Sequence, residues 1–316
     1  MSAKVTLSPA ILSIDGGSST IKYGVISYSG KVLYSAKFAD TPLNLHAFVK
    51  NSYRTSLLKI LEIVLNKYSI NYIILGVSGI DSITENKFVE SCLKNFFAKE
   101  DMNIPFFVLG DIYLSLNLVS SIPRICLIAG TGSNCIGESK AGSFNKSGGV
   151  GMYLSDEGSG YFIGDLALRA VIKDLDRRGQ KTILTKLILN KLNVSTVFEL
   201  KNFINKSTYI KSAIASFTPQ VVLASKMGDS VSKKILSRAV AELFSHIKAV
   251  YMQSPSYSKN TVNIILTGSI IKIPYIKNTL ISNLNKLGKN IKIIIPTQPS
   301  YYGGFNLLKS KGLFYQ

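Results

Sequence analysis

Cysteine is scarce in this chain, and acidic residues are outnumbered: 18 aspartates and glutamates stand against 37 lysines and arginines. The three cysteines, Cys92, Cys126 and Cys135, lie in apolar or loop contexts with no CxxC spacing. A disulfide framework or a zinc site is therefore not expected. No apolar run approaches the roughly 18 residues that a membrane-crossing helix requires. The opening MSAKVTLSPA carries a single lysine and passes directly into a strand-like segment, without the apolar core of a signal peptide. A cytoplasmic location with no membrane partner is the expectation, and there Asn145-Lys146-Ser147 escapes glycosylation. No arginine-rich tail or aromatic–basic stripe gathers the net charge of +19 into one place. That dispersal reads as a solvated basic surface that attracts small anions, and no nucleic-acid partner is expected. A GxxxxGK[ST] loop is missing too. Gly158, Gly160 and Gly164 imitate a dinucleotide fingerprint only loosely, because no strand leads into them.

What is present suits a globular protein of two domains: 316 residues, 46% hydrophobic and 17% charged. Short β-branched runs end in glycine-containing turns at Ile11–Gly17, Tyr72–Gly76, Ile125–Gly130 and Ile264–Gly268, as buried strands do. Between them lie segments of helical period. Leu57, Leu58, Ile60, Leu61, Val64 and Leu65 fall on one face, and Asp229 is placed to cap a long helix running to about Gln253. Strands alternating with helices predict an α/β architecture. A weak internal repeat goes further. A strand ending in Asp15-Gly16-Gly17-Ser18-Ser19 leads into Tyr23–Ile26, and a later strand ending in Ala129-Gly130-Thr131-Gly132-Ser133 leads into Asn134–Gly137. Both read as β-hairpins with small polar tips, one per domain, able to close on a shared ligand from opposite sides. The domain boundary is placed near residue 118.

The tip residues Gly16 to Thr20 offer closely spaced N–H groups and hydroxyls without bulky side chains, which suits an anion such as a phosphate. An ordinary glycine hairpin would look the same. Asp15 beside it is placed to hold Mg²⁺ through water. Gly130–Asn134 repeats this chemistry, and two such tips are less probable by chance than one. Asp111 ends the run Phe106–Gly110 ahead of a helix, where α/β sheets place ligands. It could take a proton from an attacking hydroxyl, although its position alone favours a plain helix N-cap. In Gly148–Asp165, glycines flank the pair Asp156-Glu157 before a helix begins. Carboxylates on a glycine loop bind vicinal hydroxyls well. The plainer alternative is that Ser159 caps the helix and the acids favour its N-terminus.

The elements Ile14–Ser19, Gly110-Asp111, Leu127–Cys135 and Ser155–Ser159, in this order and spacing, resemble the N-acetylglucosamine kinase branch of the BadF/BadG ATPase family, within the actin, Hsp70 and hexokinase superfamily. Ile214–Phe217, Gly228–Ser230, Leu266–Ser269 and Gly303–Phe305 extend the resemblance over nearly the whole chain. It implies an α/β fold of two actin-like (ribonuclease-H-like) domains with a nucleotide and sugar cleft between them. Residues 1–118 would form the first domain, completed by a C-terminal helix at about 300–316, and residues 119–299 the second.

The implied activity is transfer of the γ-phosphate of ATP to the 6-hydroxyl of N-acetylglucosamine or a related hexosamine or hexose (glucosamine, glucose, mannose). Asp111 would be the catalytic carboxylate. Gly16, Gly17, Ser19, Thr131, Gly132, Ala215, Gly268 and Ser269 would meet ATP. Asn44, Ser78, Asp111, Ser133, Asn134, Gly149, Val150, Gly151 and Asp156 would meet the sugar. Mg²⁺ would bridge the phosphates with Asp15 outer-sphere, and the domains would close around both substrates, with a homodimer left open.

Three departures stand out. Gly17-Ser18-Ser19-Thr20 replaces a more glycine-rich loop, Ser155 replaces a common glycine, and Val150 stands where relatives often carry tryptophan, a residue this chain lacks entirely. The wall of the sugar pocket must then be built differently. Two other readings fit the resemblance less well: an ATPase that activates a 2-hydroxyacyl-CoA dehydratase through a cysteine-held iron–sulfur cluster, and a non-catalytic nucleotide- or sugar-binding regulator.

Overall fold

A computed structural model describes residues 9–17, 20–39 and 42–313. The chain forms two compact units, one running to Ser120 and taken up again from Pro296, the other Ser121–Ile295. Each unit is built on one five-stranded sheet. In the first, β1 (Pro9–Gly16), β2 (Thr20–Ser27), β3 (Val32–Ala39), β4 (Ser69–Val77) and β5 (Phe106–Gly110) lie in the order β3-β2-β1-β4-β5. In the second, β6 (Arg124–Ala129), β7 (Ser133–Glu138), β8 (Phe144–Gly148), β9 (Val262–Thr267) and β10 (Ile291–Ile294) lie in the order β10-β9-β6-β7-β8.

Read from β8, the second order reproduces the first. Strands one, two and three of each unit form an antiparallel meander, and strands four and five run parallel to strand one. The hairpin repeat seen in the sequence is thus the front of a repeated five-strand sheet. The fold is α/β with two such sheets.

Both faces of β1 are covered, so its residues are apolar on both. Its even positions, Ala10, Leu12 and Ile14, enter a core shared with the helices Tyr53–Leu65 and Ile83–Lys99. On the other face Ile11 packs with Ile74, Leu114 and Phe305. Leu114 belongs to the helix Asp111–Leu116 and Phe305 to the helix Tyr302–Ser310. The glycine pair Gly303-Gly304 lets this last helix press close. A Cβ on Gly303 would stand 1.8 Å from the carbonyl of Leu114, and one on Gly304 2.2 Å from the Ser13 hydroxyl.

In the second unit the helix Ser230–Met252 turns Ile235, Leu236, Ala239, Val240, Leu243 and Ile247 inward, the three-and-four spacing of a core-facing stripe. Asp229 caps it, accepting from the Ser232 amide at 2.7 Å. The same carboxylate accepts from the Ile183 amide at 2.8 Å and the Thr182 hydroxyl at 2.9 Å, and so joins two helix N-termini. Among the described residues, no helix is long and apolar enough to cross a membrane.

Candidate active site

In the first unit the C-terminal ends of β1, β4 and β5 converge, because parallel neighbours end on the same edge of the sheet. Asp15 and Gly16 end β1. The Gly16 carbonyl accepts from the Ser78 amide at 2.8 Å, just beyond β4, and the Ser78 carbonyl accepts from Leu45 at 2.9 Å. An isolated parallel bridge joins Asn44 to Ser78. Asn44 also caps the short helix Leu45–Val49, accepting from the Ala47 amide at 2.9 Å. This close fit explains Gly16, where a Cβ would lie 2.3 Å from the carbonyl of Leu43.

Asp111 follows β5 and opens the next helix. Gly110 is the N-cap there, so Asp111 occupies the first helical turn rather than the cap position expected from its place in the sequence. Its side chain accepts hydrogen bonds from the Ser78 hydroxyl and the Ile112 amide, yet its pKa is raised to about 7. Burial is the main cause, and the charge of Asp15 is the next. Burial likewise raises Asp15, opposed by Lys22 and Ser300. Lys22 Nζ stands 3.7 Å from Asp15 Oδ2, and the Ser300 hydroxyl donates to the same oxygen. Asp15, Gly16, Asn44, Ser78 and Asp111 therefore form one cluster. Gly17 turns the hairpin, its amide donating to Thr20 at 3.0 Å and its carbonyl accepting from Leu43 at 3.2 Å. Ser19, expected to meet phosphate, lies outside the described residues with Ser18.

The second unit builds its cluster around the β6–β7 tip and the start of the helix Gly160–Leu175. The first amides of that helix donate to the tip: Gly160 to the Gly130 carbonyl at 2.8 Å and Tyr161 to the Thr131 carbonyl at 3.0 Å. Ser159 caps the helix through the Phe162 amide at 3.2 Å. Ala215 and Gly268 close in from other elements. A Cβ on Gly160 would meet Ala215 at 3.4 Å, and one on Gly268, at φ +101°, would fall 2.1 Å from the Ala129 carbonyl. Ser269 follows at the start of the turn Ile270–Lys272.

On the other side of the tip, the Ser133 amide donates to Asp156 Oδ1 at 2.9 Å, and the Ser133 hydroxyl donates to the Glu157 carbonyl at 2.7 Å. Asp156 is 3% exposed, and its backbone is left-handed at φ +78°, a conformation uncommon outside glycine though better tolerated by aspartate and asparagine. Its Oδ2 forms an ion pair with Lys211 Nζ at 2.7 Å. The bland reading of Asp156 as a mere helix-terminus charge is therefore incomplete. Asn134 Oδ1 is buried and, among the described residues, has no hydrogen-bond partner. Gly149 leaves room for it, since a Cβ there would touch the Asn134 amide group at 2.4 Å. Val150 is 54% exposed, and Gly151 has open space beside it.

The structure thus gathers Thr131, Gly132, Ala215, Gly268 and Ser269 around one helix start. It places Ser133, Asn134, Gly149 and Asp156 beside them, with Val150 and Gly151 on the exposed part of the same loop. Four participants escape sequence reasoning: Lys22, Ser300, Lys211 and His246. His246 bonds the Ser147 hydroxyl through Nδ1 at 2.9 Å, and its Nε2 faces Glu157 at 3.7 Å beneath the glycine loop. None of these residues sits in a motif.

Comparison with known proteins gives the lineage. An N-acetylmuramic acid/N-acetylglucosamine kinase of Clostridium acetobutylicum is 31% identical over 309 residues, covering 95% of this chain and 98% of that protein. An N-acetyl-D-glucosamine kinase of Dictyostelium discoideum is 26% identical, over 86% of this chain and 88% of its own. A solved structure described as a candidate N-acetylglucosamine kinase from Chromobacterium violaceum shares the fold, with a TM-score of 0.75 at 19% identity over 95% of this chain and 98% of that one. The model of one family matches residues 12–304, nearly the full length. The chain belongs to the BadF/BadG/BcrA/BcrD ATPase family.

Proposed function

We propose that the protein is a cytoplasmic, ATP-dependent sugar kinase that transfers the γ-phosphate to the 6-hydroxyl of N-acetylglucosamine or a related hexosamine or hexose. One observation carries this reading: Asp111, at the end of a parallel strand, has its pKa raised to about 7 by burial and by Asp15. A carboxylate with that proton affinity suits general-base work near neutrality, where an ordinary aspartate at 3.8 is too weak a base. As the sugar oxygen attacks the γ-phosphorus, its proton passes to Asp111. The bond from that phosphorus to the bridging oxygen breaks, and ADP leaves with the electron pair. The Ser78 hydroxyl and Ile112 amide hold the carboxylate in place. The named sugar kinases among the relatives support the acceptor class, and the Clostridium protein adds N-acetylmuramic acid to the sugars to be tried.

Asp15, a carboxylate at the end of β1 beside the Gly16-Gly17 tip, would be placed for a water-mediated contact to Mg²⁺ arriving with ATP. That ion supplies charge neutralisation on the phosphates. For the sugar, Asn134 offers an unpaired carbonyl oxygen and Asp156 a carboxylate, both acceptors for sugar hydroxyls. Cys126 and Cys135 are buried and Cys92 is partly buried, which weighs against their holding an iron–sulfur cluster.

The test is ADP release with ATP and Mg²⁺ across a panel of N-acetylglucosamine, N-acetylmuramic acid, glucosamine, glucose and mannose. Strong stimulation by one or more sugars is expected. Hydrolysis that ignores the sugar, or none at all, refutes the proposal.

A further inference from the structure

Lys211 belongs to no motif, yet its ammonium stands directly over the β6–β7 tip. A Cβ built on Gly132 would lie 2.6 Å from Lys211 Nζ and 2.3 Å from Asp156 Oδ1. The tip has spare donors: among the described residues, none accepts from the amides of Thr131 or Gly132. Two such amides and a neighbouring ammonium form a cradle for phosphate oxygens. Lys211 itself is held by Asp156, the buried carboxylate on the strained left-handed residue. A half-buried ion pair of this kind is weak evidence for stability, because desolvation offsets the attraction. The lysine side chain is 25% exposed, whereas that of Asp156 is 3% exposed. The lysine has a flexible four-carbon stem with freedom to swing, and the carboxylate does not.

We propose that Lys211 has two partners: Asp156 when the site is empty, and the terminal phosphates of the nucleotide when ATP is bound. This rests on the kinase reading and deepens it. When Lys211 turns to phosphate, Asp156 loses its countercharge, and its Oδ2 becomes available to accept from sugar hydroxyls. A sugar that engages Asp156 in turn loosens Lys211 for the phosphates. Nucleotide and sugar therefore strengthen each other's binding through one ion pair, a coupling that is reciprocal by thermodynamic necessity.

Calorimetric titration of the full chain decides the matter, using ATP, ADP, AMP, inorganic phosphate and N-acetylglucosamine on the wild type, Lys211→Met, Lys211→Arg and Asp156→Asn. Lys211→Met should weaken ATP and ADP at least tenfold and leave AMP within twofold, and Lys211→Arg should restore most of the loss. A non-hydrolysable ATP analogue should tighten sugar binding severalfold in the wild type and not in Lys211→Met. Asp156→Asn frees the lysine, so ATP should bind more tightly while sugar binds more weakly, and this arm holds if Lys211→Met fails to fold. Unchanged ATP affinity in Lys211→Met with sugar binding lost overturns the inference, leaving the lysine a mere support for Asp156. Weaker ATP binding in Asp156→Asn overturns it too, as does inorganic phosphate alone binding the wild type as tightly as ADP. A wild type that binds ATP and releases ADP with sugar keeps the kinase reading whatever Lys211 does. A wild type that does neither refutes both.

Discussion

The two units repeat one sheet but treat their carboxylates in opposite ways. At the ends of β1 and β5, burial raises the pKa of both Asp15 and Asp111, and the charge of Asp15 adds to the rise at Asp111. Beside the β6–β7 tip, Asp156 is more deeply buried but receives the Ser133 amide and the Lys211 ammonium. Asp111 accepts from the Ser78 hydroxyl and the Ile112 amide, yet burial and the nearby charge of Asp15 still raise its pKa. The same sheet thus carries carboxylates in two different settings, one in each unit.

The largest expected effect breaks that contrast at its source. Asp111→Asn should lower kcat by about a thousandfold, the range for a lost general base, with ATP binding largely intact. The same variant should be more stable than the wild type at high pH. The folded-state pKa of about 7 exceeds the ordinary 3.8, so between those values the folded protein binds more protons than the unfolded chain. Stability contributed by the protonated group is then present at low pH and lost as pH rises through about 7. Melting curves should show the variant ahead by a few degrees at pH 8 and level with the wild type at pH 4. Wild-type turnover by Asp111→Asn rejects the catalytic assignment.

Next in size is a comparison of two glycines that follow equivalent strands. Gly79 after β4 and Gly268 after β9 both have positive φ, at +91° and +101°. A Cβ on Gly79 comes no nearer than ordinary contact, 3.4 Å from Leu45 Cβ and 4.0 Å from the Leu45 amide, whereas on Gly268 it meets the Ala129 backbone at 2.1 Å. Gly79→Ala should cost about 1 kcal/mol for the left-handed conformation alone, and Gly268→Ala about 3 kcal/mol or more, since backbone cannot step aside. Equal losses in denaturant unfolding would mean that the β6–β9 packing yields more easily than its spacing indicates.

A smaller effect separates the two causes acting on Asp111. With Asp15 replaced by Asn, the second-ranked cause of its high pKa is removed and burial, the first, remains. The acid limb of kcat/KM for the sugar, which rises with pH as Asp111 loses its proton, should move to lower pH in the residual activity. An unmoved limb would assign the titration to another group.

These contrasts show what the sequence could reveal. The strands that end in glycine turns, the paired hairpins, the Asp229-capped helix and the Ser159 cap were all legible, because each is local and rests on a period or a cap residue. Position alone made Asp111 an N-cap, but Gly110 takes that place, as caps are decided by backbone dihedrals that a sequence does not display. Two of the partners that give the carboxylates their character lie far along the chain. Ser300 meets Asp15 from 285 residues away, and Lys211 comes to Asp156 from a six-residue helix with no pattern of its own. Contacts of that kind come from the fold as a whole, and no window of sequence contains them.

The smallest expected effect sits on the tip itself. Gly130 and Gly132 are two residues apart, yet a Cβ on Gly132 would collide with Asp156 and Lys211, while one on Gly130 meets nothing within 4 Å. Gly130→Ala should therefore change stability by no more than about 0.5 kcal/mol. That neutrality makes the variant a probe of the site, because a methyl group in open space can be felt only by something bound there. If the tip takes phosphate, KM for ATP should rise in Gly130→Ala with the melting curve unmoved and KM for the sugar little changed. If both Michaelis constants match the wild type, the phosphates do not approach the Gly130 side of the tip, and the cradle narrows to the Thr131 and Gly132 amides under Lys211.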